Sequence, residues 1–306
     1  MTTTTYSRLV TLAGLASTAT AGLLIIAKLA AWLMTGSSSL LASLADSLMD
    51  ISASVINLLA IRYALAPADA DHRFGHGKAE SLASLAQAAF ITGSSLILVM
   101  NGLSRLLNPQ PLQHLGIGLW VTVGALGLTL LLVLFQSWVV RQTDSQAIRA
   151  DRLHYQSDLL FNLGVLLALG LAYWGWMWAD GLFAMLLGLY ILKGALTIGY
   201  EAVQTLLDRQ LPEEEQQRIS QLVRAIPGVH GMHDLRTRQS GPLRIIQLHL
   251  ELDDQLPLLR AHELADLAEA AIRTDFPLAD VLVHMDPISV LARENAAAVP
   301  PLETKD

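Results

Sequence analysis

Six long apolar stretches occupy the first two thirds of the chain: Leu9–Met34, Leu40–Ala64, Ala79–Leu103, Leu115–Val140, Ile148–Trp174 and Ala179–Val203. About 20 such residues in a helix cross the ~30 Å of bilayer hydrocarbon, so each stretch predicts a transmembrane helix. The polar gaps Thr35–Ser39 and Gly175–Trp178 are so short that they predict antiparallel neighbours. From about Leu211 the pattern changes. Pro212-Glu213-Glu214-Glu215 opens a charged amphipathic helix running to Ile226, and a strand passes through His233 to Arg238. After a turn at Gly241-Pro242, Leu243–Asp253 alternates, with Ile246, Leu248, Leu250 and Leu252 on one face and Ile245, Gln247, His249 and Glu251 on the other. A helix over Leu258–Thr274 and a strand over Val281–Asp286 complete an αββαβ order. That order predicts a two-layer α+β domain with its helices on one face of a sheet.

Composition sharpens this picture. The 306 residues are 53% hydrophobic and only 15% charged, against roughly 25% charged in an ordinary soluble domain. With no cysteine, disulfides and thiolate metal sites are excluded. A net charge of −7 and the lack of a basic run argue against a nucleic-acid partner. The Thr-rich start lacks the charged region and cleavage site of a secretory signal, so the first apolar stretch is expected to be a retained helix. Arg8, Arg62, Arg73, Lys78, Arg141, Arg149, Arg152 and Arg209 flank loops on one side, and Arg105 stands almost alone on the other. The positive-inside rule then places both termini in the cytoplasm. Lys28 and Lys193 fall within spans and receive no role at this point.

The apolar stretches are interrupted in a patterned way. Asp46 and Asp50 lie four residues apart in the second, and His154 and Asp158 repeat that spacing in the fifth. A four-residue step puts both members on one helix face. Ionisable groups in hydrocarbon cost at least ~2.5–3.5 kcal/mol each on insertion scales, so four in two matched pairs point to a divalent cation held between two helices. Asp50 lies about ten residues, ~15 Å at helical rise, from the start of its span, which brings both pairs to the bilayer midplane. One nitrogen and three oxygens suit tetrahedral Zn²⁺, with Fe²⁺, Co²⁺ and Cd²⁺ as competitors. Crowded carboxylates in a low dielectric hold protons that a metal must displace, so alternate exposure of the site to either side would give metal–proton antiport. The plainer alternative is four polar residues hydrogen-bonded within a bundle.

Two further groups carry ligand-type residues. In the loop Asp69-Ala70-Asp71-His72-Arg73-Phe74-Gly75-His76-Gly77-Lys78, His72 and His76 can bind a metal with Asp69 or Asp71. The same loop is not a phosphate-binding loop, for it lacks the leading glycine and the following Ser/Thr. In the α+β segment, His249 is on the polar strand face, His284 and Asp286 share a face, His233 opens the preceding strand, and His262 lies on the adjacent helix. A lone histidine is usually a surface residue; five ligand-type residues in one small domain suggest a metal site. His230 and His114 are read as ordinary surface residues.

Ser43 through Asp50, the Phe74 through Glu80 loop, His154 through Asp158, Ala202 through Arg209 and His233 through Arg238 together resemble the cation diffusion facilitator family, specifically its bacterial zinc and ferrous-iron efflux members of the YiiP/FieF type. The resemblance covers nearly the whole chain. It implies a homodimer in the bacterial inner membrane, with six transmembrane helices per subunit (residues 1–208), a ferredoxin-like, metallochaperone-like cytoplasmic domain (209–290) and a disordered tail (291–306). It implies that Asp46, Asp50, His154 and Asp158 form the transport site and that Asp69, His72 and His76 form a loop site. It also implies a binuclear site of His233, His249, His262, His284 and Asp286 that stabilises the cytoplasmic dimer, with Asp286 bridging two ions. Lys78 and Asp208 match an ion pair near the dimer contact. Met285 departs from the polar residue expected between His284 and Asp286.

The expected function is proton-coupled export of divalent metal cations, zinc first, with the lipid bilayer, the ions and a second copy of the chain as partners. A membrane-anchored metal sensor is the alternative; it leaves the midplane quartet without a purpose. An intramembrane protease would need His-Glu-x-x-His, and the nearest string, His262-Glu263-Leu264-Ala265-Asp266, ends in Asp. No nucleotide motif supports ATP-driven transport.

Overall fold

Apolar segments of this length can satisfy their backbone in a bilayer only as helices, and helices are what form. The computed structural model describes residues 3–35, 38–107, 118–173, 176 and 178–290. Its long helices are α1 (Thr3–Thr35), α2 (Ser38–Ala64), α3 (Lys78–Leu107), α4 (Gly118–Thr143), α5 (Gln146–Tyr173) and α6 (Ala179–Leu206). Among the described residues, four of them, α1, α3, α4 and α6, are apolar enough over membrane length to span by composition alone. The other two, α2 with 27 residues and α5 with 28, are also of membrane-crossing length, and each carries ionisable residues within it. The helices run past the apolar stretches that predicted them. The first begins at Thr3 rather than Leu9 because Tyr6 and Val10 are buried and the Tyr6 hydroxyl donates to Glu80 Oε2 at 2.8 Å. The expected disordered tail, Trp174 and the start of the fourth stretch lie outside the described residues.

Within this unit (residues 3–207) the four helices α1, α2, α4 and α5 have two unlike ends. At one, Tyr6, Val10, Ala13, Ile61, Val139, Ala147 and Ile148 form a solid apolar cluster. Beside it Glu80 is buried, accepting from Tyr6, from the Ser145 hydroxyl and from the Ala147 amide at 3.3 Å. That carboxylate, with Ser145 Oγ accepting from the Ile148 amide at 3.3 Å, caps the start of α5. Towards the other end, the same helices open into a cavity.

The pair α3–α6 packs differently. A Cβ added at Gly102 would lie 2.6 Å from the Met185 amide nitrogen, one at Gly181 2.5 Å from that of Leu106, and one at Gly188 2.7 Å from Val99 Cγ2. The two backbones touch directly, the close approach that small residues permit between membrane helices.

The second unit, from Asp208, contains α7 (Glu213–Arg224), β1 (Gly231–Ser240), β2 (Leu243–Leu252), α8 (Leu258–Asp275) and β3 (Ala279–Pro287). The helix α7 has Glu213, Glu214 and Glu215 in its first turn and Arg224 in its last, as its dipole favours. The sheet order is β1-β2-β3, with β1 and β2 antiparallel and β2 and β3 parallel across α8. Ile246, Leu248, Leu250 and Leu252 pack with Ile219 and Val223 of α7 and with Leu264, Ala268 and Ile272 of α8. The expected alternation of β2 holds, except that Ile245 is also buried.

Candidate metal centres

The membrane site is assembled by two helices that each contribute one stripe. His154 Nε2 of α5 lies 3.3 Å from Asp50 Oδ1 of α2 and 3.9 Å from Asp158 Oδ2, one helical turn along α5. The histidine is buried, and Asp50 and Asp158 are partly exposed to a cavity of about 690 Å³. His154 Nε2 makes no well-aligned hydrogen bond to the carboxylates it faces, as expected of a nitrogen aimed at an ion. Tetrahedral ligands at about 2.0–2.1 Å from zinc stand about 3.3 Å apart, so the His154–Asp50 distance already fits and Asp158 needs a small approach. The backbone of Asp46 is in α2, but its side chain falls outside the described residues. The neighbouring Tyr155 hydroxyl lies 2.7 Å from Ser54 Oγ and donates to the Ser17 carbonyl at 3.2 Å, tying α5 to α2 and α1.

Sequence reasoning missed the polar layer beneath. Asp151, one turn of α5 before His154, is fully buried and accepts from Gln136 Nε2 at 2.7 Å and Gln87 Nε2 at 3.3 Å. Its signal was present in the sequence, since Asp151, His154 and Asp158 share one face by their spacing.

The loop site closes around Asp69. Its Oδ1 accepts from the amides of Asp71 at 3.0 Å and His72 at 2.6 Å and faces His72 Nδ1 at 3.2 Å. Its Oδ2 faces His76 Nε2 at 3.3 Å. The His72 amide hydrogen bond holds the Asp69 carboxyl below the usual carboxylate range. Gly75 supplies the turn with φ of 76°, and buried His76 packs on Tyr63 with centroids 4.5 Å apart. Of the two acids left open, Asp69 is the one that joins the histidines.

The third group lies on the sheet face opposite α7 and α8. Register places His233 beside His249 and His249 beside His284, one histidine per strand, with Glu251 beside Asp286 in the next row. Asp286 is the hub: Oδ2 lies 2.7 Å from His249 Nδ1 and 3.2 Å from His233 Nε2, and Oδ1 lies 3.0 Å from His284 Nε2. Met285 has no part in this, since consecutive strand residues face opposite ways. Two participants were missed. Glu251 holds His233 Nδ1 at 3.2 Å, orienting Nε2 toward Asp286. A bulge in β1 between His233 and Arg236, with Asp234 at φ 45°, brings Asp234 within 3.8 Å of His249 Nε2; strict alternation would have turned it away. A hydrogen bond from Arg236 keeps the Asp234 carboxyl below its ordinary range. His262 does not join this group: it is exposed on α8, 3.6 Å from Asp266.

Lys78 donates to the Leu206 carbonyl at 3.2 Å, linking the start of α3 to the end of α6. Asp208 accepts from Arg238 Nη1 at 3.2 Å within its own unit.

Residues 14–207 match the cation efflux transmembrane domain, and residues 211–288 match the cation efflux protein cytoplasmic domain. The cation-efflux pump FieF of Escherichia coli (strain K12 / DH10B) is 58% identical over 289 residues, covering 94% of this chain and 96% of that protein. The FieF protein of Citrobacter koseri is 58% identical over 290 residues, covering 95% and 97%. A solved structure described as the Zn form of the putative zinc transporter CzrB is 32% identical, covering 27% of this chain and 94% of that one, with a TM-score of 0.25.

Proposed function

The chain belongs to the cation efflux family across both its transmembrane and cytoplasmic domains, and on that premise we propose that it exports divalent metal cations from the cytoplasm in exchange for protons. Zn²⁺ is the first cargo, with Fe²⁺ and Cd²⁺ as further ones. One observation carries the reading: a membrane cavity lined by Asp50, His154 and Asp158. Imidazole and carboxylate bind an ion only in their deprotonated forms, so metal and protons compete for the same ligand atoms, which couples the two fluxes. Asp46 completes the quartet.

The cavity draws on Ala21–Lys28 of α1, Ser47–Asp50 of α2, Phe90–Asn101 of α3 and Ala125–Thr129 of α4. These are the halves remote from the solid cluster around Tyr6 and Ile148. With both termini cytoplasmic, as the basic loops favour, this arrangement is outward-facing and the solid end is the closed cytoplasmic gate. Alternating access opens that end and closes the cavity. Asp69, His72 and His76 bind metal at the membrane surface. The chain acts as a homodimer in the bacterial inner membrane: His233, His249, His284 and Asp286 bind metal that stabilises the paired cytoplasmic domains. The residues divide as a six-helix domain to Asp208, a metal-binding domain to about residue 290 and a tail. The chain catalyses no covalent chemistry.

The test is zinc flux in proteoliposomes under an imposed pH gradient, for the intact chain and Asp50→Ala. Gradient-driven flux that disappears in the variant supports antiport through this site. Flux in neither, with zinc still held by the cytoplasmic domain, makes the protein a sensor.

A further inference from the structure

The wall of the membrane cavity carries a group that a cation route does not require, an ammonium. Lys28 lies on α1, and its Nζ donates to Ser47 Oγ at 2.6 Å. Ser47 is buried on α2, three residues before Asp50, so the two share a stripe of that helix. Lys28, Ser47, Asp50, His154 and Asp158 all line one cavity. The lysine is seven residues from the end of α1 at Thr35, about 10 Å at helical rise, and its stem is of the kind that snorkels toward the membrane interface. The head is instead anchored inward, on the helix that supplies a metal ligand.

We propose that Lys28 is a tethered competing cation that sets the affinity of the site for its cargo. This rests on the reading of the cavity as the transport route. With the site empty, the ammonium offsets the negative charge of the carboxylates. When a divalent ion enters, two like-signed charges share one low-dielectric cavity and repel. The ion is therefore held weakly enough to leave on the side where the cavity opens. Ser47 is one anchor that holds the charge at the α2 wall. A purely structural role, a staple between α1 and α2, would depend on the hydrogen bond and not on the charge.

Equilibrium zinc binding to the full chain in detergent separates these roles. His76→Ala and His249→Ala in the background disable the loop and sheet clusters, leaving the membrane site to report. Lys28→Met keeps the stem and removes the charge; it is expected to lower the zinc Kd at least tenfold and, in proteoliposomes, to lower both KM and saturated turnover. Lys28→Arg restores the weaker binding. An unchanged or weaker zinc affinity in a Lys28→Met protein that melts like its parent overturns the proposal. Should that variant fail to fold, Lys28→Gln, which keeps a polar head without the charge, is likewise expected to tighten binding at least tenfold; unchanged affinity there overturns it equally. Asp50→Ala in the same background reports on the site itself. Zinc binding that survives this substitution defeats the transport-site reading, whatever Lys28 does.

Discussion

The membrane cluster and the sheet cluster use the same ligand chemistry on opposite mechanical supports. In the membrane, Asp50 and His154 sit on separate helices, α2 and α5, that meet beside a cavity. Their distance changes whenever one helix slides or tilts. On the sheet, His233, His249 and His284 occupy one row across three hydrogen-bonded strands, and Asp286 gathers all three. Their spacing cannot change without breaking the sheet. A site that must bind and release belongs on movable parts; a site that must hold belongs on a fixed one. On the proposed reading, the support, more than the ligands, separates cargo from fastening.

The harshest way to break this comparison is to remove a ligand from the movable site. Asp50→Ala or His154→Ala should lower gradient-driven zinc flux at least 100-fold while the sheet cluster still retains zinc in equilibrium dialysis. Flux surviving either change would make the cavity a bystander. Next, His249→Ala in the full chain should abolish zinc retention by the cytoplasmic domain but lower flux only several-fold; a loss as deep as that of Asp50→Ala would mean the two sites are one machine. A finer cut is Asp234→Ala, which removes a carboxylate facing His249 and should weaken cytoplasmic zinc binding about tenfold, the scale of an orienting partner. Equal affinity in a zinc competition assay would confine Asp234 to its pair with Arg236.

The smallest effect concerns pH at the loop. Asp69 is held below its ordinary range by hydrogen bonds that exist only in the folded turn. Its contribution to stability is therefore complete above the unfolded carboxylate value of about 3.9 and is lost as pH falls through the lowered folded value. Amide exchange of His72 should stay protected on acidification to about pH 4 and rise only below it. Loss of protection already at pH 5 would show that the carboxylate is not what closes the loop.

Much of this was legible in the sequence because it repeats with a helical or strand period. The four-residue steps of Asp46/Asp50 and His154/Asp158, and the alternation around His249, each state which side chains share a face. The features that were not legible break a period or depend on distant partners. The bulge that swings Asp234 toward His249 violates alternation. The buried acids Glu80 and Asp151 depend on Tyr6, Ser145, Gln87 and Gln136, contributed by other helices and by the α4–α5 turn. The inward anchoring of Lys28 depends on Ser47 of the neighbouring helix, and no spacing within α1 encodes it. His262 had only its residue type in its favour, and its helix carries it to the other layer.

The glycine seam between α3 and α6 has a consequence for how such a chain can diverge. Where side chains mediate a contact, a change on one helix is absorbed by a rotamer on the other. Here Gly102 and Gly181 leave only backbone to yield. The two helices are therefore expected to descend together: a hybrid that takes α3 from one relative and α6 from another risks misfit along the seam even when every metal ligand is retained, whereas exchanging the pair as a block keeps it. In breeding terms, α3 (ending at Leu107) and α6 (starting at Ala179) are one heritable unit split by a long run of other chain.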